Sequence, residues 1–393
     1  MNRFAIPGLM LLLFFAGMPA DADLQTVVVG GELRIRAQYW HNAFNARAVG
    51  PALVGPQIRW PGALLVGRPI GDRVGGQTIT SFYNWDDRGP SYDVIEQRTR
   101  LWVQADFTEN VRGYIELDSF DVWGEDFRSD HVTGLDRRAA SGDDIEVFQA
   151  YIEANNMWNL PLRARIGRQE LNLGSTWLVG DATNNPEFSG ISFDGIRLTY
   201  ATDTFSVDAF YTKLFEAGIV EQDGDVDFMG VYGSYTGLEN MTIDAYWFWL
   251  RDARSINDTN FPWFVEWLEN VFSVDDYDVT NIHTIGLRAA GTFNAFDFDV
   301  EGAYQFGDAD AFGRFFRPFL YGDDDADFSN WAMNAEVGYT FDMNWQPRVH
   351  GLFAYVGGED NRDLSFWDWI NPFDRPEASV SFNRLFSNKV YSP

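Results

Sequence analysis

Arginines recur in pairs two residues apart: Arg34 with Arg36, Arg98 with Arg100, and Arg163 with Arg165. In an extended strand that spacing sends both guanidinium groups to the same face. A guanidinium carries a planar fork of donors that fits carboxylate or phosphate through two parallel hydrogen bonds. Arg112, Arg197, Arg288 and Arg348 occupy the same parity in their own segments, and only two of the 29 basic residues, Lys213 and Lys389, are lysine. The chemistry of this set is recognition of planar anions. Acids share the face: Glu32, Glu96, Asp106, Glu116, Asp118, Glu153, Asp208, Asp244, Asp299, Glu301 and Glu336. Two readings follow. The arginines form an electropositive stripe that contacts passing anions, or they pair across strands with Glu32, Glu96 and Glu116 to solvate an interior.

Other chemistries find little in the chain. Cysteine is absent, which removes disulfides, thiolate metal sites and thiol nucleophiles. The four histidines, His41, His131, His283 and His350, belong to no nucleophile–base pattern, and neither a G-x-S-x-G elbow nor a phosphate-binding glycine loop occurs. The chain is expected not to be an enzyme and to need no cofactor. Asp223, Asp225 and Asp227, then Asp275, Asp276 and Asp278, Asp308 and Asp310, and Asp323, Asp324, Asp325 and Asp327 form acidic runs. They lack the twelve-position spacing of a built calcium loop, so loosely bound Ca²⁺ is the most expected of them. A net charge of −29 and a pI near 4.3 exclude a protein that coats nucleic acid.

The elements that carry these residues are strands. Residues 1–22 read as a secretory signal peptide: Arg3 at the start, an apolar centre from Leu9 to Ala16, and Ala20-Asp21-Ala22 as a small-residue cleavage site. Residues 23–393 then form one domain. From Gly31 to Trp40, Leu33, Ile35, Ala37 and Tyr39 alternate strictly with Glu32, Arg34, Arg36 and Gln38. About fourteen such strands are expected, the later ones near 111–120, 144–154, 161–170, 190–201, 204–214, 227–236, 241–250, 282–293, 296–306, 329–341, 347–357 and 378–386, with one short helix at Trp263 to Val271. Tight turns and long loops alternate, as in an outer-membrane barrel. Aromatics such as Tyr39, Trp40, Phe107, Phe293, Tyr339 and Phe341 flank the apolar face. An arginine facing lipid at mid-bilayer costs roughly 2–4 kcal/mol, so Arg34 and Arg36 must face water. The expected fold is all-β, a single antiparallel transmembrane β-barrel.

Gly167-Arg168-Gln169-Glu170-Leu171-Asn172-Leu173-Gly174, followed by Ser192-Phe193-Asp194-Gly195-Ile196-Arg197, resembles the paired signature of the alginate-export family of outer-membrane porins. Ser381-Phe382-Asn383-Arg384-Leu385-Phe386 is similar to a third family segment. The resemblance implies a monomeric barrel in the bacterial outer membrane, embedded in lipid and lipopolysaccharide, whose arginines conduct an anionic uronate polysaccharide or smaller anions. Among the matching residues, Gln169 and Arg197 have the parity to face the pore. Arg168 and Asp194 do not, and a buried Arg168–Asp194 pair that pins loop to strand is the structural alternative. Family members usually carry more strands, and the end at Tyr391-Ser392-Pro393 lacks a closing aromatic strand; either the barrel closes on the strand around 378–386, or the sequence is truncated and the barrel has up to 18 strands, with truncation the expectation. The rival functions are a general porin with little selectivity and a surface barrel whose acidic loops, with Trp263, Trp267, Trp367 and Trp369, act as an adhesin or assembly surface.

Overall fold

A computed structural model of the chain describes residues 24–40, 47–48, 81–82, 92–123, 129–130, 135–136, 145–180, 191–216, 225–253, 279–308, 326–358, 378–380 and 382–387. The signal peptide, the helix expected at 263–271, the four loop tryptophans, His41 and His131, and most of the acidic runs lie outside these residues. Thirteen long strands follow in chain order: β1 (Thr26–Trp40), β2 (Tyr92–Thr108), β3 (Val111–Val122), β4 (Glu146–Ala154), β5 (Leu162–Glu170), β6 (Ser192–Ala201), β7 (Phe205–Phe215), β8 (Val226–Leu238), β9 (Met241–Asp252), β10 (Thr280–Phe293), β11 (Phe296–Asp308), β12 (Ala326–Thr340) and β13 (Arg348–Val356). Each pairs antiparallel with the next, forming one sheet. A three-residue β14 (Ala378–Val380) adds to the upper part of β12 in parallel.

Tight turns join β2 to β3, β6 to β7, β8 to β9 and β10 to β11, with Asn240 and Asn294 in left-handed conformation at φ 57° and 54°. Asparagine tolerates that region because its short amide bonds the local backbone. The links from β4 to β5 and from β12 to β13 are also short, and all six lie at the same end of the sheet. The longer connections lie at the other end, which in an outer-membrane barrel is the extracellular one.

Burial in this sheet is inverted relative to a water-soluble fold. Leu33 (65%), Leu287 (66%) and Phe293 (71%) are exposed, whereas Glu116, Asp118, Glu153, Asp208, Asp244 and Glu301 are buried. The period of two in each strand produces this split, sending charged residues to one face and Val, Ile and Leu to the other. On the apolar face aromatics gather at two heights. Trp247, Trp249, His283 and Phe306 stack at the long-loop end; Phe296, Tyr339 and Phe341 pack edge to face at the other. Ten residues separate His283 from Phe293 on β10. At about 3.3 Å per residue and a tilt near 40° that is roughly 25 Å, the height of the lipid-facing band of a membrane barrel. No helix among the described residues is long and apolar enough to cross a membrane.

One expectation needs correction. The strand expected over 378–386 joins the sheet only through β14; residues 382–387 leave the wall and pack on its polar side. In a strictly antiparallel order the odd-numbered β1 and β13 run in the same direction, and among the described residues they do not pair with each other.

Candidate functional site

The polar face of the sheet holds the arginines, almost all of them against carboxylates. On the β1–β5 half, Arg36 meets Glu96 at 2.6 Å, and Arg98 meets Glu32 at 3.1 Å. Arg34 stands directly opposite Arg98 in the β1–β2 register. Arg100 faces three acids, Asp118 at 3.0 Å, Glu116 at 3.5 Å and Glu170 at 3.6 Å. Arg112 contacts Asp106 at 2.9 Å and Glu153 at 3.9 Å; Glu153 also holds Arg165 at 2.6 Å. Arg163 donates to the Thr199 hydroxyl.

The same pattern continues on the other half. Arg197 meets Asp208 at 2.9 Å, and Arg288 bridges Asp244 at 2.7 Å and Asp299 at 2.8 Å. Arg348 bridges Asp297 at 2.5 Å and Glu336 at 2.8 Å, with His350 on the same Glu336. The wall is therefore a lattice of alternating signs, held by pairs whose distances are those of charge-assisted hydrogen bonds. Trp102, Tyr114 and Tyr151 stack across β2, β3 and β4 with centroids 6.2 and 5.1 Å apart, and the Arg165 guanidinium caps the row 4.1 Å above Tyr151. Ring faces are spent on one another, so the row braces the wall and leaves ring edges towards the interior.

The three sequence segments that carried the family resemblance converge on this face. Gly167 and Gly195 stand opposite each other on β5 and β6. Gly167 has φ +126°, and a Cβ there would lie 2.3 Å from the Ala150 carbonyl, so only glycine fits. One residue on, Arg168 and Asp194 form a bidentate pair at 2.8 Å on the opposite, outward face. Their side chains are 44% and 56% exposed, which corrects the expectation of a buried pair. One residue further, Gln169 is fully buried on the polar side and donates its amide to the Gly167 and Gly195 carbonyls at 3.3 and 3.2 Å. It serves as a clamp between strands rather than as a group open to solvent.

Beyond that clamp the chain turns inward. Leu171, Leu173, Trp177, Leu178 and Val179 pack with Phe193, Phe210, Phe228, Tyr232, Tyr246 and Phe248 of the wall, and with Phe382 from the late segment. Ser175 donates to Glu301 at 2.5 Å, and Tyr246 donates to its second oxygen at 2.9 Å. Gln305 exchanges two bonds of 2.7 Å with the Asn383 backbone. Val179–Gly180 pairs in parallel with Phe386–Ser387. Residues 171–180 and 382–387 thus form a two-part plug over the polar face of β6–β12, leaving that of β1–β5 uncovered by it.

Sequence reasoning missed the plug. The available signal was Leu-x-Leu-Gly-x-x-Trp-Leu-Val-Gly, an apolar run with two glycines where a solvated loop would be polar. Gly174, at φ +55° beneath the Tyr232 hydroxyl, lets the loop turn there.

The model of a family described as Alginate export matches residues 82–392. The chain belongs to the alginate-export family. With the inverted burial and the two aromatic heights, membership places the sheet as the wall of a β-barrel in the bacterial outer membrane. Among solved structures, similarity extends to Pseudomonas aeruginosa OccK8 (OprE), with 14% identity, TM-score 0.35, and 65% of this chain and 61% of that one covered. Acinetobacter baumannii OccAB1 matches with 11% identity, TM-score 0.34, and 68% and 75% covered. Salmonella typhi OmpF in complex with daunomycin matches with 12% identity, TM-score 0.35, and 83% and 89% covered. The chain thus spans about three fifths of the OccK8 length. No curated protein matches the sequence.

Proposed function

We propose that the protein is an outer-membrane channel that passes anionic oligo- or polysaccharide, or smaller anions, along the polar face of β1–β5. The observation that carries this reading is the asymmetry of the plug. It buries the polar side of β6–β12 under aliphatic and aromatic side chains and leaves Arg34, Arg36, Arg98, Arg100, Arg112, Arg163 and Arg165 on the half it does not cover. A solute carboxylate moving past such a wall exchanges water for guanidinium donors while Arg36, Arg98, Arg100, Arg112 and Arg165 keep an acid within reach. Many weak contacts in series permit conduction, where one tight site would stop it.

Planar-bilayer recording tests the reading. The purified protein should conduct, favour anions over cations, and be blocked reversibly by oligouronates. Replacing Arg34, Arg36, Arg98 and Arg100 together by Ser should abolish the anion preference. A silent bilayer rejects the channel, and cation preference rejects the arginine path.

A second reading has its own support. Nearly every arginine on the wall is matched by a carboxylate within 4 Å, which favours a general porin with little charge preference. Equal permeability of anions and cations, without block by oligouronates, would select it.

A further inference from the structure

The outward face carries a row of charges that solute passage does not use. In the strand registers Arg168 stands opposite Asp194, Asp194 opposite Lys213, Lys213 opposite Asp227, Asp227 opposite Arg251, and Arg251 opposite Asn281. The row crosses β5 to β10 on a single rung and alternates in sign through its first five members. At about 4.8 Å between strands it spans roughly 24 Å. Adjacent members are paired: Arg168 with Asp194 at 2.8 Å, Lys213 with Asp227 at 3.0 Å, and Arg251 with Asp227 at 3.9 Å. Lys213 also holds Asp225 at 2.6 Å and Glu216 at 3.3 Å.

Its height is fixed by its neighbours. Two residues nearer the membrane centre, the same face presents Ile166, Ile196, Tyr211, Met229, Trp249 and His283. The row lies just outside the upper aromatic level, at the long-loop end. Charges of this kind in the hydrocarbon would cost roughly 2–4 kcal/mol each, so the row marks where hydrocarbon ends and headgroups begin.

We propose that this row is a docking surface for phosphate-bearing headgroups of the outer leaflet, bound together with the divalent cations that neutralise them. Arg168 and Arg251 stand at the two ends of the charged part of the row; Arg168 gives Nε and Nη2 to Asp194 and Nη1 to the Val147 carbonyl, and the second N–H of each Nη is the donor suited to a phosphate oxygen. The middle is acidic: Arg168, Lys213 and Arg251 supply three positive charges, against four negative ones on Asp194, Asp227, Asp225 and Glu216. A phosphate headgroup stripped of counter-ions is repelled at that centre, so the partner brings its own. A layer of phosphates bridged by divalent ions repeats the alternation of the row.

The test reconstitutes the full chain in vesicles of phosphatidylcholine, with or without phosphatidic acid, and with or without Mg²⁺. Unfolding is followed by heat-modifiable gel mobility. Phosphatidic acid and Mg²⁺ together should slow unfolding several-fold, and the double variant Arg168→Gln/Arg251→Gln should lose that gain while matching the wild type in pure phosphatidylcholine. An equal gain in the variant, a full gain without Mg²⁺, or a gain from Mg²⁺ in phosphatidylcholine alone overturns the proposal. Because the chain lacks cysteine, Asp194→Cys gives a single labelling site that needs no stability comparison. A fluorophore there should be quenched more by headgroup-labelled than by tail-labelled lipid; the reverse order, or cross-linking to a second copy through that site, also overturns it. Bilayer conductance of the double variant should equal that of the wild type, so failure here is separable from failure of the channel reading.

Discussion

Replacing Glu153 by Gln removes one negative charge from the wall without changing its shape. Glu153 is buried on the polar face, 2.6 Å from Arg165 and 3.9 Å from Arg112, so the change leaves Arg165 short of a counter-charge while Arg112 keeps Asp106 at 2.9 Å. For an ion passing about 8 Å away in a water-filled lumen, one unit charge is worth roughly 0.5 kcal/mol. Screening at 0.1 M salt, where the Debye length is about 10 Å, cuts this to roughly 0.2 kcal/mol. Anion entry then rises about 1.5-fold and cation entry falls as much, which doubles the permeability ratio to a first approximation. At 1 M salt, with a Debye length near 3 Å, the effect should vanish. Reversal potentials in a planar bilayer under a salt gradient measure it. Asp194→Asn is the matched control, losing the same charge from the outward face of the same wall. The reasoning is refuted if Glu153→Gln leaves the ratio unchanged at low salt, if its effect persists at high salt, or if Asp194→Asn reproduces it.

Gly174→Ala places a Cβ about 2.2 Å from the Tyr232 hydroxyl at φ +55°, so it should lift the inward loop and raise single-channel conductance; an unaltered conductance would show that the loop does not narrow the path. Trp177, fully buried and stacked on Phe382, should cost about 3–5 kcal/mol when replaced by Ala, read as a lower temperature for the heat-modifiable shift. Gln305→Leu deletes both bonds to Asn383 and should destabilise the seating of 382–387 by about 1–3 kcal/mol, measured as faster proteolysis within that segment while the rest of the wall stays resistant.

Strand positions were legible because each strand has one face in lipid and one in a polar interior, which imposes alternation on residues such as Leu33, Arg34, Ile35 and Arg36. The same alternation placed Arg168 and Asp194 on the face opposite Gln169 and Arg197. It failed where the chain leaves the sheet. Leu171 to Val179 and Phe382 to Phe386 follow no period, since their burial comes from tertiary packing on aromatic residues of distant strands. Ion pairing was only half legible. Parity told which charges share a face, whereas the choice of Glu153 for Arg165, or of Asp244 and Asp299 for Arg288, depends on cross-strand register, and the bulge between Glu116 and Leu117 shifts it locally.

The parallel bridge between Val179–Gly180 and Phe386–Ser387 ties together two segments about two hundred positions apart in the chain. Contacts of such long separation are made late, because the closure entropy must be met before they contribute. The inward loop therefore packs first on the wall, against Phe193, Phe210, Phe228, Tyr232, Tyr246 and Phe248, and gains the late segment only afterwards. Completion of the two-part plug is then a late event of folding. Loss of Phe382 to Ser387 would loosen the inward loop without removing it, because its other contacts lie within the wall.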